Sequence, residues 1–210
     1  MFREDFPFLN SSLYFNTAYV GLMSKSLFNY RHKIELKYLN TGDQFKIDAN
    51  GKINIIQKSI SDYIGSKKNN TFFVPNFSFG IRIVLDRIWD EAKVLTIAEE
   101  YPSILSALEE RRFLVFKLNL SDKIEELIYD SIKKNKIEVI ILSIVQYITG
   151  YKIDFKFLNE LKIKFPDLII IGDASQYCGT DFFNFSDSPF DVIISSGYKW
   201  VLAGFGNGFL

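Results

Sequence analysis

Short apolar runs rich in β-branched residues recur along the chain, separated by longer segments whose apolar residues fall three and four apart. Runs of the first kind read as buried parallel strands, and segments of the second kind as the amphipathic helices that cross between them. The predicted strands are Thr71–Val74, Lys93–Ile97, Phe113–Lys117, Val139–Ser143, Leu168–Asp173 and Val192–Ser196. The predicted helices between them are Gly80–Trp89, Ser103–Glu110, Lys123–Lys134 and Phe155–Phe165. Strand and helix alternate through five strands and a further strand follows, which predicts an α/β fold. The first fifty residues are less regular, and only Lys52–Ile64 reads clearly as a helix ahead of the first strand. We therefore divide the chain into an N-terminal segment, 1–50, and an α/β domain, 51–210.

The polar ends of the apolar runs carry the candidate chemistry. Leu168–Ile171 runs into Gly-Asp-Ala-Ser-Gln, and Val192–Ile194 into Ser-Ser-Gly-Tyr-Lys. In open α/β sheets ligands bind outside the carboxyl ends of the strands, so these two ends are expected to meet at one site. A third contributor is Val74-Pro-Asn-Phe-Ser-Phe-Gly80, a strand end entering a helix, where free backbone N–H groups and the helix dipole favour a phosphate.

Lys plus Arg number 25 and Asp plus Glu 25, which leaves no net field to draw the chain onto nucleic acid or an anionic membrane. A small molecule or a protein is the expected partner. One cysteine, Cys178, and one histidine, His32, are too few for a disulfide or a zinc site, and point to a cytoplasmic protein without a structural metal. The N-terminus, MFREDFPFLN, lacks the basic and apolar regions of a secretory signal. His32 reads as a surface helix residue, and Cys178 as a small apolar group behind the strand that ends at Asp173.

Ala203-Gly-Phe-Gly-Asn-Gly-Phe-Leu210 reads as a glycine-rich turn entering a strand on which the chain ends. Such a strand would leave an exposed edge or an unfilled sheet position, and the chain is expected to be part of a longer protein.

Lys199 follows a β-branched strand and a Ser-Ser-Gly turn and precedes Trp200-Val-Leu, so its stem is expected against apolar surface. A desolvated ammonium loses proton affinity, as a lysine that attacks a carbonyl requires. Asp173, at the end of a hydrophobic strand, costs several kcal/mol unless it is paired. It is either a cap on the following turn or the acceptor for a protonated ring nitrogen.

Asp173-Ala-Ser-Gln176, then Ser195-Ser-Gly-Tyr-Lys199-Trp, then Gly204-Phe-Gly-Asn-Gly208 resembles the core signature of class V aminotransferases. That group includes cysteine desulfurases, kynureninases and isopenicillin N epimerase-like proteins. Phe15-Asn-Thr-Ala18, Asn76-Phe-Ser78-Phe-Gly80, Glu99-Glu-Tyr-Pro-Ser103 and Val145-Gln-Tyr-Ile-Thr-Gly150 follow the same order and extend the resemblance across essentially the whole chain.

The resemblance implies a three-layer, mostly parallel sheet with flanking helices, the large domain of a fold type I enzyme that uses pyridoxal 5'-phosphate (PLP). Lys199 matches the catalytic lysine that holds the cofactor as a Schiff base. Asp173 matches the partner of the pyridine nitrogen, and Gln176 the residue that hydrogen-bonds the ring hydroxyl. Ser78 with the amide of Phe77, and Ser196, match phosphate contacts, while Tyr101 takes the position of the residue stacked on the ring. Tyr198 stands where many relatives carry a histidine, so a phosphate contact there comes from a phenol. Beside the ring hydroxyl the sequence offers Tyr147 or Gln146. The implied assembly is a homodimer, and the implied substrate an amino acid or amine. The Tyr-Pro-Ser, Val-Gln-Tyr and Gly-Tyr-Lys-Trp variants favour the epimerase-like branch, often described simply as aminotransferases, over the desulfurases. A relative that no longer catalyses and serves as a binding or assembly module is the alternative.

Two weaker motifs are set aside. Asn76-Phe-Ser-Phe-Gly80 lacks the first glycine of a hydrolase nucleophile elbow, and His32 precedes its serine. Gly204-Phe-Gly-Asn-Gly208 has no helix after it to make a dinucleotide loop. The aromatic residues of the N-terminal part, Phe6, Phe8, Tyr14, Phe15, Tyr19 and Phe28, either cover the core of one subunit or form an interface.

Overall fold

The computed structural model describes residues 2–210. Two helices open the chain after short 3-10 turns: α1, Lys25–Thr41, and α2, Gln44–Ile64. The rest alternates strand and helix: β1 (Phe73–Val74), α3 (Phe77–Leu85), β2 (Lys93–Ile97), α4 (Pro102–Glu109), β3 (Leu114–Leu118), α5 (Ile124–Asn135), β4 (Val139–Ser143), α6 (Phe155–Lys164), β5 (Ile169–Asp173), β6 (Val192–Ser196) and β7 (Gly208–Phe209).

All seven strands join one sheet in the order β1-β7-β6-β5-β4-β2-β3. β2 through β6 pair in parallel, and β7 runs antiparallel to both β6 and β1. The period of two along each strand feeds two cores. In β4, Ile140 and Leu142 pack with Ile128 and Ile132 of α5 and Leu158 and Leu161 of α6. Val139 and Ile141 pack on the other face with Ile81 and Leu85 of α3 and Ile104 and Leu108 of α4. A strand covered on both faces needs apolar residues at every position, which is why β4 reads Val-Ile-Ile-Leu without alternation. Edge strand β3, by contrast, has no buried residue.

The predicted strands and crossover helices are present, with ends shifted by a few residues. α3 begins at Phe77 and not at Gly80, because the Asn76 side chain accepts from the Phe79 amide at 2.9 Å and caps the helix there. Two expectations are corrected. The stretch read as irregular contains α1, and α2 starts eight residues before Lys52; α1 buries no residue, so it carries no core-facing stripe for the sequence to display. The final strand is not an exposed edge: β7 pairs with β6 on one side and β1 on the other, Ser195 with Phe209 and Phe73 with Phe209. No helix among the described residues is long and apolar enough to cross a membrane. His32 lies exposed on α1, stacked on Phe28, and Cys178 is buried.

Candidate active site

The chain order makes β2 and β3 one wing of the sheet and returns β4 to the other side of β2, so the strand order reverses between β2 and β4. Ligand crevices form at the carboxyl ends beside such a reversal. Here the ends of β2, β4, β5 and β6 deliver Glu100–Tyr101, Ser143, Asp173 and Ser196–Lys199 respectively.

The turn after β6 is held from both sides. Gly197 donates its amide to the Asn207 carbonyl at 2.9 Å and accepts from Ala203 at 2.8 Å. A Cβ on Gly197 would stand 1.9 Å from Asn207 Oδ1, so no larger residue fits without moving the loop. Asn207 Nδ2 in turn reaches the carbonyls of Ala203 and Gly204 at 3.1 and 3.0 Å, closing the loop that Gly204 and Gly206 allow with φ of 73° and 82°. The glycine-rich segment is thus a clip that fixes the Lys199 turn.

Lys199 is 7% exposed and has no ion-pair or hydrogen-bond partner for its Nζ among the described residues, in spite of its burial. Its Nζ lies 5.4 Å from the centre of the Tyr101 ring. Desolvation lowers its pKa, and the negative charge of Asp173 partly offsets the shift. Asp173 is also 7% exposed; Oδ1 accepts the Ser175 amide at 2.8 Å. Burial pushes its carboxyl up to about 6, against the hydrogen bonds from Ser175 and the charge of Lys199.

A cavity of about 230 Å³ is lined by Phe77, Ser78, Tyr101, Asp173, Ser196, Tyr198 and Lys199, among others. It adjoins a second, of about 570 Å³, which shares Tyr101, Tyr198, Lys199 and Phe205 and adds Gln176 and Tyr147. The eight residues named from the sequence therefore converge on one crevice.

Their hydrogen bonds refine the picture. Ser196 Oγ accepts the Phe77 amide at 2.9 Å, and Ser78 Oγ pairs with Ser103 Oγ at 2.6 Å, so the first turn of α3 is closed by serines from β6 and α4. An incoming phosphate would exchange with these hydroxyls. Gln176 gives Nε2 to the Ala18 carbonyl at 2.8 Å and takes Trp200 Nε1 at 2.7 Å, which fixes its amide and leaves one N–H over. Tyr198 stacks on Phe205 with centroids 5.0 Å apart, and burial raises its phenol pKa.

Between the two open choices, Gln146 is 2% exposed and spends its side chain on the Glu99 carbonyl and the amides of Ile148 and Thr149. Tyr147 lines the cavity edge-on to Tyr101, with centroids 5.5 Å apart. Three participants were not singled out from the sequence: Ser103, Phe205 and Glu100. Glu100 is 1% exposed, and a second carboxylate just beyond a buried strand was the signal that could have found it.

This α/β architecture, one mostly parallel seven-stranded sheet with flanking helices, is shared with solved structures. Among solved structures the chain superposes on a C-DES variant with glycine covalently linked to its PLP cofactor, with a TM-score of 0.87 and 16% identity. That match covers 99% of this chain and 58% of the other. A cysteine desulfurase from Thermococcus onnurineus NA1 gives 0.82 and 21% identity over 99% of this chain and 55% of its own. The cysteine desulfurase CsdA from Escherichia coli gives 0.78 and 14% identity over 99% and 56%. No protein-family model and no curated protein matches the sequence. At these identities the likeness shows the fold, and the chain spans between 55% and 58% of the length of these three structures.

Proposed function

We propose that the chain is the cofactor-binding part of a PLP-dependent enzyme acting on an amino acid or amine, with 51–210 as its large domain. The observation that carries this reading is Lys199: a buried lysine with no anionic partner in contact, turned toward a cavity that also holds Asp173. Burying an ammonium without a partner is costly, and the cost falls when the amine is neutral and able to attack an aldehyde.

The donor set fits a phosphorylated pyridine aldehyde. The first turn of α3, Ser78 and Ser196 would hold the phosphate, Tyr101 would cover one face of the ring, and Asp173 would accept from the ring nitrogen. Gln176, with its remaining N–H, or Tyr147 would hydrogen-bond the ring hydroxyl. When bound, the cofactor supplies an electron sink for a carbanion at the substrate Cα. Lys199, as a neutral amine, would take and return the proton at the substrate Cα.

Within this class we place the chain in the epimerase-like branch ahead of the desulfurases. The Tyr-Pro-Ser, Val-Gln-Tyr and Gly-Tyr-Lys-Trp variants support that order, while Cys178, buried and pushed up to about 12 by desolvation, is a packing group that favours neither branch. Release of sulfide from L-cysteine by the PLP-loaded protein would reverse the order.

The test of the main reading is reconstitution with PLP. A visible absorption band should appear, vanish on borohydride reduction, and leave reduced cofactor on the peptide containing Lys199. Label on another lysine, or none, would sink it.

A further inference from the structure

Glu100 is buried more deeply than any residue that would touch the cofactor, and nothing in the proposed chemistry uses it. Its Oε1 accepts the Ser143 amide at 2.8 Å, and its Oε2 accepts from the Ser143 hydroxyl and, at 3.3 Å, from the Tyr101 amide. Ser143 ends β4 opposite Asp173 in the β4–β5 register, and the Ile144 amide donates to the Asp173 carbonyl at 2.9 Å. Glu100 thus ties together the residue that would stack on the ring and the strand beside the residue that would hold its nitrogen.

No cation among the described residues pairs with Glu100. The charged and titratable groups that face it or its partners are Asp173 from β5, Lys199 from the turn after β6, Cys178 and Tyr198. The last two are neutral around pH 7, since burial raises both. Glu99, its neighbour, is turned away to the Leu120 amide at 3.1 Å. Lys199 acts on Asp173, and Glu100 is left as a second buried carboxylate beside it with no cation of its own.

We infer that Glu100 is a positioning residue for this site, keeping a proton that it donates to the Ser143 hydroxyl oxygen, whose own hydrogen turns away, so that the buried pair with Asp173 carries a single negative charge. Like charges in a desolvated space resist joint ionisation, so the second carboxylate keeps its proton. Burial, and after it the charge of Asp173, push the Glu100 carboxyl up to about 7, against the hydrogen bonds that favour its ionised form. As the pH rises through that value a second negative charge forms behind Asp173. Protonated groups nearby, on Asp173 or on a bound cofactor, then hold their protons more tightly.

The inference rests on the PLP reading, and two measurements separate their fates. Glu100→Gln is the isostere of the protonated acid and keeps a donor toward Ser143. In the PLP-loaded protein the midpoint of the visible-band pH titration should fall by about one pH unit in Glu100→Gln, since the late negative charge is gone. At pH values below the wild-type midpoint, PLP affinity should stay within about threefold of wild type. In the unloaded protein, the infrared carbonyl stretch of a protonated carboxylic acid should be present between pH 6 and 7 and weaker in the variant, where only Asp173 contributes as the pH nears 6. An unmoved midpoint with PLP on Lys199 overturns the inference and leaves the PLP reading standing. Failure of the wild type to bind PLP sinks that reading, while the infrared band still decides whether Glu100 holds a proton: its absence from the wild type overturns the inference. Should Glu100→Gln not fold, Ser143→Ala, which deletes only the hydroxyl partner, must move the same midpoint or shift the infrared band; the absence of both changes overturns the inference.

Discussion

Asp173 holds its carboxyl where burial raises its pKa to about 6, a position in which it ionises best with a cationic partner in front of it. A protonated ring nitrogen is such a partner, and the bond between them is charge-assisted. Asp173→Asn keeps the shape and the acceptor oxygen for the Ser175 amide but removes the charge. The variant should fold and bind PLP while exchange of the substrate Cα proton slows roughly 10- to 150-fold, the equivalent of about 1.5 to 3 kcal/mol. Deuterium exchange at Cα followed by NMR checks this, and an unchanged rate would return Asp173 to a turn cap on Ser175. Lys199 and Asp173 were both legible in the sequence, because each closes an apolar run and belongs to an ordered signature. Glu100 was not, since its partner Ser143 lies 43 residues on and meets it only through the β2–β4 pairing. The closure of Ser196 on the Phe77 amide, 119 residues away, was hidden for the same reason.

At the scale of the element, α3 links folding and ligand in one short segment. Asn76 caps it, and the same first turn carries Phe77 and Ser78. Asn76→Ala should cost about 1 kcal/mol of stability, read as a lower denaturant midpoint with an unchanged slope. It should also weaken binding of PLP more than that of pyridoxal, which has no phosphate; an equal loss for both would show that the first turn of α3 does not meet the phosphate. The inner strands were legible because two-sided burial writes continuous apolar runs, and β2, β4 and β6 match the prediction residue for residue. The helix α1 was not, because an apolar stripe marks a helix only when one face meets a core, and α1 meets none within this chain. Its N-cap, Ser24, accepts the Leu27 amide at 3.0 Å and was the one local sign of a helix start.

The same observation bears on the whole molecule. α1 and α2 carry apolar side chains into solvent in a single chain: Phe28, Tyr38 and Leu39 on the first, Ile47, Ile55 and Ile56 on the second, with Leu39 at 78% exposure. Phe15 at 91% and Tyr19 at 74% do likewise, while Phe6 and Tyr14 are half-buried within the segment. Exposed apolar area of this extent marks an interface, and a two-fold contact buries one patch from both copies. Tyr19 and Asn16 also line the larger cavity beside Lys199, which sets the uncovered segment at the mouth of the candidate site. We therefore expect a homodimer in which association and PLP occupancy rise together with protein concentration, measured by sedimentation with absorbance detection. Leu39→Glu discriminates further. In a lone chain that side chain faces water, and a charge there should cost less than about 0.5 kcal/mol. Across a two-fold contact it places two carboxylates in an apolar patch, and should shift the dimer toward monomer by at least tenfold while leaving the far-UV circular dichroism unchanged. A protein that stays monomeric with full PLP occupancy at every concentration, or a Leu39→Glu variant that dimerises like wild type, would remove α1 from any interface.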